Sequence, residues 1–384
     1  MSKFINYITS ILRKFLSPSL FFKLKRIARW LKERADLLLF WHWEYVELPQ
    51  KEESSFKILY FGRKKNRGGA KILLGIENVS DSSELSNGLL KQRVIISEMP
   101  FPSSLCVPKV LSPIVTLDKP IEEIMAGFDK ELRRKLKKNR SLYSMKQVFS
   151  DAEIEYANSE LIKPYAIARY GSLAFHYPLE TVRRIAKIGR LDFIYKEEEL
   201  VACTLSHEYV LAGKRYWLLD LFGYPEAVFS DSKRLGEINS INNHMALECA
   251  IENGYDFVDI GFAFARPFDG LLIWKKRRGA ALKAINIESF SYFHVYVPKA
   301  VSVNFFWDKP LFSIEHSKLT LHLGFPERIS DEEFLTHYRE MRFDGLFKVY
   351  IHCSKAPSEN LLTRFGKFYK KESSAPILEI ILLS

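Results

Sequence analysis

Apolar and basic positions segregate with a helical period along the first stretch of the chain. Ile8, Ile11, Leu12 and Phe15 share one face, while Lys3, Ser10, Arg13, Lys14 and Ser17 lie on or beside the other. The pattern restarts after Pro18, with Leu20, Leu24, Ile27, Ala28 and Leu31 set against Lys23, Arg26, Arg29 and Lys32. Two basic amphipathic helices broken at Pro18 are expected. From Phe56 the period shortens. Residues 56–61 and 71–76 read as strands around a basic turn, 63–69, and residues 93–97 as another strand. Residues 99–113 carry four prolines and read as a connector.

Residues 121–143 predict one helix, basic in its second half, and 161–170 and 179–188 predict two more, joined by a turn over 171–178. Strands follow at 192–195, 201–209 and 215–221. A long helix then starts after Ser230, Asp231 and Ser232, stops at Gly254 and leads into a strand at 257–260. Strands near 287–296, 312–315, 320–323, 347–353 and 377–383, with helices at 331–341 and 358–370, complete the chain. The expected divisions are basic amphipathic helices over 1–48, a β-rich half-domain over 56–118, a mixed α/β layer over 119–284 and a small α/β appendage over 285–384.

Charge and composition narrow the partners more than the fold. The net charge of +11 favours an anionic partner: a nucleic acid, a membrane surface, or a phosphate-bearing substrate or coenzyme. Glu33 is the one acid in the first 35 residues, against nine Lys or Arg, a balance that suits a helix lying on an anionic bilayer. The same faces would also suit helices docked on the protein's own core. Cys106, Cys203, Cys249 and Cys353 are scattered, with no CxxC pair, so neither a disulfide framework nor a metal site is expected, and a reducing, cytoplasmic setting is the simplest reading. No run approaches the roughly 18 apolar residues of a spanning helix.

Two segments carry candidate chemistry. The helix start at Ser230, Ser232, Lys233, Arg234 and Gly236 offers free amides, a favourable dipole and two cations to an anion such as a coenzyme pyrophosphate. Residues 266–279 place four consecutive cations, Lys275 to Arg278, after the apolar stretch Leu271 to Trp274. If that segment is extended, Lys275 and Arg277 share a face.

The basic helix 132–140, Arg169-Tyr170-Gly171, His176 to Pro178, the strand end 219–224, the helix start 230–236, the strand 257–261 and Trp274 to Ala280 together resemble the GNAT-fold acetyltransferase-like domain of bacterial exopolysaccharide and cellulose gene clusters. That domain is itself similar to the Fem-type aminoacyl transferases. The resemblance covers residues 121–284. It implies a GNAT fold with the donor, acetyl-CoA or another acyl-CoA, bound where the sheet splays beside Ser232. It also implies an acceptor groove contacted by Arg169, Tyr170, Lys275 and Arg277, and no metal. The glycine-rich pyrophosphate loop of acetyl-CoA users is reduced to Gly236, and Arg278 stands where an aromatic residue is usual.

Acyl transfer needs a neutral amine and a polarised carbonyl, so His176, Asp220 and Asp259 are the candidate bases. The expected reaction is N-acyl or N-acetyl transfer to an amine of a phosphate-bearing cell-envelope sugar or peptide precursor, at the inner face of the cytoplasmic membrane. An aminoacyl-tRNA donor, with tRNA phosphates on the basic helix, and a non-catalytic scaffold at an anionic membrane surface are the alternatives.

Overall fold

The computed structural model describes residues 42–49, 56–76, 93–171, 174, 176–283, 292–368 and 375–383. The two amphipathic helices expected before residue 42 lie outside the described residues. In chain order the first elements are β1 (Trp43–Leu48), β2 (Lys57–Arg63), α1 (Arg67–Leu74), β3 (Arg93–Ser97), β4 (Leu105–Pro108) and β5 (Val110–Thr116). Then come α2 (Ile121–Ala126), α3 (Lys130–Asn139), β6 (Tyr143–Gln147), α4 (Asp151–Tyr156), a π-helical turn (Ala157–Ile162), α5 (Lys163–Tyr170) and α6 (Leu179–Ile188). The antiparallel run β7 (Arg190–Lys196), β8 (Glu199–Leu211) and β9 (Lys214–Gly223) leads to the short α7 (Glu226–Phe229), the long α8 (Ser232–Glu252) and β10 (Phe257–Asp259). After β11 (Ala263–Phe264), α9 (Gly270–Lys276), β12 (Ala281–Lys283) and β13 (Tyr292–Tyr296), the chain closes with α10 (Lys299–Asp308), β14 (Leu311–Glu315), β15 (Lys318–Phe325), α11 (Asp331–Met341), β16 (Lys348–Cys353), α12 (Glu359–Lys367) and β17 (Ile377–Leu382).

Three departures from the sequence pattern have physical causes. Residues 71–76, expected as a strand, are mostly helix, because Ala70, Leu73 and Leu74 form one buried stripe and Gly75, at φ 68°, caps it in the left-handed region. No hairpin turn therefore joins β2 to a following strand; β2 pairs with β3 in parallel. The single basic helix of 121–143 is two, because Asp129 accepts from the amides of Glu131 and Leu132 and so starts α3 afresh. The proline-bearing connector of 99–113 holds β4 and the first half of β5.

Among the described residues the strands form three sheets, in the orders β1-β2-β3-β13-β4, β11-β5-β10-β9-β8-β7-β6 and β14-β15-β16-β17, with β12 also pairing β5. The expected breaks near residues 118 and 284 do not follow the sheets: β5 lies in the middle one, and β13, from beyond 284, pairs with β3 and β4 in the first.

In the middle sheet α8 covers one face. Ile238, Ile241 and Met245 pack with Leu132 and Leu136 of α3 and with Trp217, Leu219 and Val258 of the strands. On β7 and β8 the π-turn and α6 bury Leu161, Val182 and Ile185 against Leu191, Phe193 and Leu205. The third sheet is an antiparallel hairpin, β14–β15, extended by two parallel strands. Its helix α10 was not anticipated; it lies so close to β15 that a Cβ on Gly324 would come within 1.9 Å of the Val303 carbonyl oxygen. Among the described residues no helix is long and apolar enough to cross a membrane.

Candidate functional site

β9 and β10 run parallel and pair over three positions only, ending at Leu218 and Asp259. β9 then continues to Gly223 on β8 alone, while the chain after Asp259 turns away. The two strands fork beyond that point. A cavity of about 170 Å³ opens in the fork. Leu219 to Phe222 form one wall and Ile260 to Phe262 the other, with Tyr165 and Arg169 of α5, Asn239 of α8, and Trp274 and Lys275 of α9 closing it.

Local sequence explains the supports. Gly223 lets the π-turn close in on the strand end: a Cβ there would sit 2.7 Å from Cys203 Sγ and 2.8 Å from both Ile162 N and the Leu161 carbonyl carbon. The Tyr224 amide donates to the Leu161 carbonyl at 3.2 Å, which fixes the same contact. Gly261 takes φ 77°, a left-handed conformation open to glycine at little cost, and turns its own carbonyl and that of Phe262 towards α9.

Lys275 meets those carbonyls. Its Nζ donates to Gly261 O at 2.7 Å and Phe262 O at 2.8 Å, and the residue is 2% exposed. Among the described residues no carboxylate forms an ion pair with it. Burial pulls its pKa down to about 7, while the charges of Asp259 and Asp269 act the other way. An ammonium has three protons and the carbonyls use two, so one remains for an acceptor oxygen in the cavity.

Asp220 lies on the opposite wall. Tyr177 Oη donates to its Oδ1 at 3.2 Å, and its Oδ2 faces His207 Nδ1 at 3.6 Å. Burial raises the Asp220 pKa and lowers that of His207. The same cavity is thus lined by a carboxylate of raised basicity and an ammonium of raised acidity.

Behind Trp274, the Arg278 guanidinium stacks on the indole with its carbon 3.5 Å from the ring centroid. It donates to Ser240 Oγ and the Trp274 carbonyl, each at 3.0 Å. Its burial works against the charge, which a guanidinium nevertheless retains at neutral pH.

Of the residues singled out by sequence, Arg169, Asp220 and Lys275 line the cavity. Arg169 is exposed and donates to Tyr165 Oη. The side chain of Tyr170 lies outside the described residues. His176 is exposed and outside the cavity lining. Asp259 is buried and already occupied: its carboxylate accepts from Ser112 Oγ at 2.5 Å, Tyr209 Oη at 2.8 Å and the Gly261 amide at 2.8 Å. Arg277 does not share a face with Lys275, because residues 270–276 are helical rather than extended; it caps α9 from the exposed side.

The expected anion cradle at the start of α8 is filled from within the chain. Asp231 Oδ1 accepts from the amides of Lys233 at 2.9 Å and Arg234 at 3.1 Å, and the Arg234 guanidinium pairs with Glu199 at 2.6 Å. Ser230, Ser232, Lys233, Arg234 and Gly236 are not among the residues lining the cavity. Sequence reasoning gave no role to Tyr165, His207 or Asn239, and carried Tyr177 and Trp274 only within the segments that bear the resemblance. One signal was present. Asn239, Ser240, Asn242, Asn243 and His244 spread polar groups around more than half of α8, wider than the polar face of a helix packed only on an apolar core.

No protein-family model matches the chain. No curated protein sequence matches it either. Solved structures with a similar course include FemX, at 10% identity and TM-score 0.37 over 68% of this chain and 90% of that one. L-PGS from Bacillus licheniformis follows at 11% identity and TM-score 0.34, over 66% and 84% of the two chains. A GCN5-related N-acetyltransferase from Sphaerobacter thermophilus reaches 11% identity and TM-score 0.29, over 64% and 73%. Overlaps of this size leave the chemistry to the cavity itself. Among the described residues no group of three or more His, Cys, Asp or Glu is placed to hold a metal ion.

Proposed function

We propose that this chain is a GNAT-like transferase that carries an acyl or aminoacyl group to an amine, with the reaction centred in the cavity at the β9–β10 fork. The observation that carries the reading is that Asp220 and Lys275 both line that one cavity. An attacking amine must lose a proton, and Asp220, whose burial favours the protonated form, is the acceptor. Negative charge then develops on the acyl oxygen, and the third Lys275 proton, on an ammonium held by the Gly261 and Phe262 carbonyls, meets it. Collapse of the intermediate expels the donor's thiolate or alkoxide, which takes up the proton that Asp220 removed from the amine and so returns Asp220 to its charged form.

The donor is an acyl-CoA or acetyl-CoA, and the acceptor an amine of a phosphate-bearing cell-envelope sugar or peptide precursor met at the inner membrane face. The positive net charge supports an acidic partner or surface. A second reading, an aminoacyl-tRNA donor, is favoured by one observation: the Asp231 carboxylate occupies the α8 amides that a coenzyme pyrophosphate would use. Exposed Arg134, Lys137 and Lys138 on α3 would then meet RNA phosphates.

The test incubates the full chain with acetyl-CoA and an amino-sugar or peptide-precursor acceptor, measuring thiol release, and in parallel with aminoacyl-tRNA, measuring deacylation that depends on the acceptor. Turnover with one donor, abolished by Lys275→Met and Asp220→Asn, is expected. Absence of turnover and of any shift in thermal melting with either donor would remove the reading.

A further inference from the structure

The residue that sequence nominated as a third base has a different task. Asp259 ends β10 at the point where the strands fork, is 4% exposed, and spends its carboxylate on three donors from three parts of the chain. Ser112 Oγ and the Gly261 amide bond to Oδ1, and Tyr209 Oη bonds to Oδ2. Tyr209 is itself held by stacking on Tyr216, with centroids 4.8 Å apart and planes at 8°. The bond to the Gly261 amide closes a turn across residues 259–261, and that turn sets the direction of the Gly261 and Phe262 carbonyls. Those two carbonyls hold the Lys275 ammonium.

We propose that Asp259 is a positioning residue for the cavity cation: its carboxylate clamps the Gly261–Phe262 turn, and the turn fixes where the Lys275 ammonium meets a substrate oxygen. The proposal rests on the transferase reading for its meaning in catalysis, but not for its geometry. A carboxylate with three donors is pinned in place, so the turn it bonds cannot drift without breaking a charge-assisted contact. An ammonium tied to two carbonyls keeps its third proton in one direction, which is the preorganisation that stabilising a developing charge requires. Asp259 also supplies negative charge to Lys275. The charged groups that face Lys275 are Asp259 from β10, Asp269 at the start of α9 and Arg169 from α5, and Asp220 lies across the cavity. Asp259 is the largest of the influences that keep the amine protonated against its burial.

The experiment uses the full chain labelled with ¹³C-lysine and no donor. The Lys275 ε-methylene signal is assigned by its loss in Lys275→Met and followed from pH 5 to 10, while hydrogen exchange reports the Gly261 amide. In Asp259→Asn the Lys275 midpoint should fall by about one pH unit, and exchange at Gly261 should rise at least about tenfold, as expected when a charge-assisted bond of roughly 1.5 kcal/mol or more is lost. If Asp259→Asn does not fold, Tyr209→Phe takes its place; it removes one of the three donors and should still speed exchange at Gly261. A folded Asp259→Asn with an unchanged Lys275 midpoint and unchanged Gly261 exchange overturns the proposal, and so does unchanged exchange in Tyr209→Phe. Both readouts work without substrate, so a failure to find transfer activity removes the transferase reading and leaves the clamp standing.

Discussion

Replacing Lys275 by methionine should remove activity and also change how stability depends on pH. Among the described residues no carboxylate pairs with the buried ammonium, and its pKa is pulled from 10.5 to about 7. In the unfolded chain the amine holds its proton to about 10.4. Between about 7 and 10.4 the unfolded chain therefore binds more protons than the folded one, so in that window the wild-type protein gains stability as pH rises. Below about 7 both states are protonated and the full penalty applies. At roughly 1.4 kcal/mol per pH unit, the penalty is on the order of 5 kcal/mol at low pH.

The methionine variant carries no such penalty, but it leaves the Gly261 and Phe262 carbonyls without their donor, at roughly 1–3 kcal/mol each. The net difference at any one pH is a balance of these terms. Its pH dependence is not, because the lost hydrogen bonds do not titrate in the variant. Relative to wild type, Lys275→Met should lose about 3 kcal/mol of advantage between pH 6 and pH 9, where wild-type Lys275 has already become neutral. Urea unfolding of both proteins at several pH values, with shared titrations cancelling in the difference, measures this directly. A difference that stays constant across that range would refute the description of Lys275 as a strained buried cation.

Four further outcomes follow from the same structure. Transfer rates should be bell-shaped in pH, rising as Asp220 loses its proton above the usual carboxylate range and falling near 7 as Lys275 loses its own; Asp220→Asn should abolish the rising limb and cost roughly 10²–10⁴ in rate. Gly223→Ala forces a methyl into the π-turn backbone and should destabilise by about 1–3 kcal/mol in urea unfolding, with donor binding weakened in parallel. Asp231→Ala removes the α8 cap and should cost about 1 kcal/mol; tighter acetyl-CoA binding in this variant would show that the carboxylate had been occupying the coenzyme's place. The full chain should float with anionic liposomes and a version starting at His42 should not, given the basic and apolar faces of residues 1–35; equal flotation would exclude that segment as the anchor.

The local elements were legible in sequence wherever a cap or a period settles them nearby. The long helix α8 follows from Asp231 at its start and Gly254 beyond its end, at φ 67°. The bounds of α11 coincide with the expected helix, because Ser330 and Glu333 form a capping box whose partners are three residues apart. The strands β7, β8 and β9 follow from alternating positions and short turns.

What sequence could not decide depends on partners far along the chain. The apolar stretch before Lys275 suits a strand or a helix equally well, and that choice alone determines whether Lys275 and Arg277 point together or apart. From sequence Asp259 suits a base or a strand-end carboxylate bonded to neighbouring amides, and only the folded chain shows its partners to be Ser112, Tyr209 and Gly261. The helix start at Ser232 reads as an empty anion site until the Asp231 side chain turns back onto its amides. Propensity and periodicity act over a few residues, whereas the cavity is assembled from α5, β9, α8, the turn after β10 and α9. The burial that sets the acidity of Lys275 and the basicity of Asp220 exists only once those segments have met.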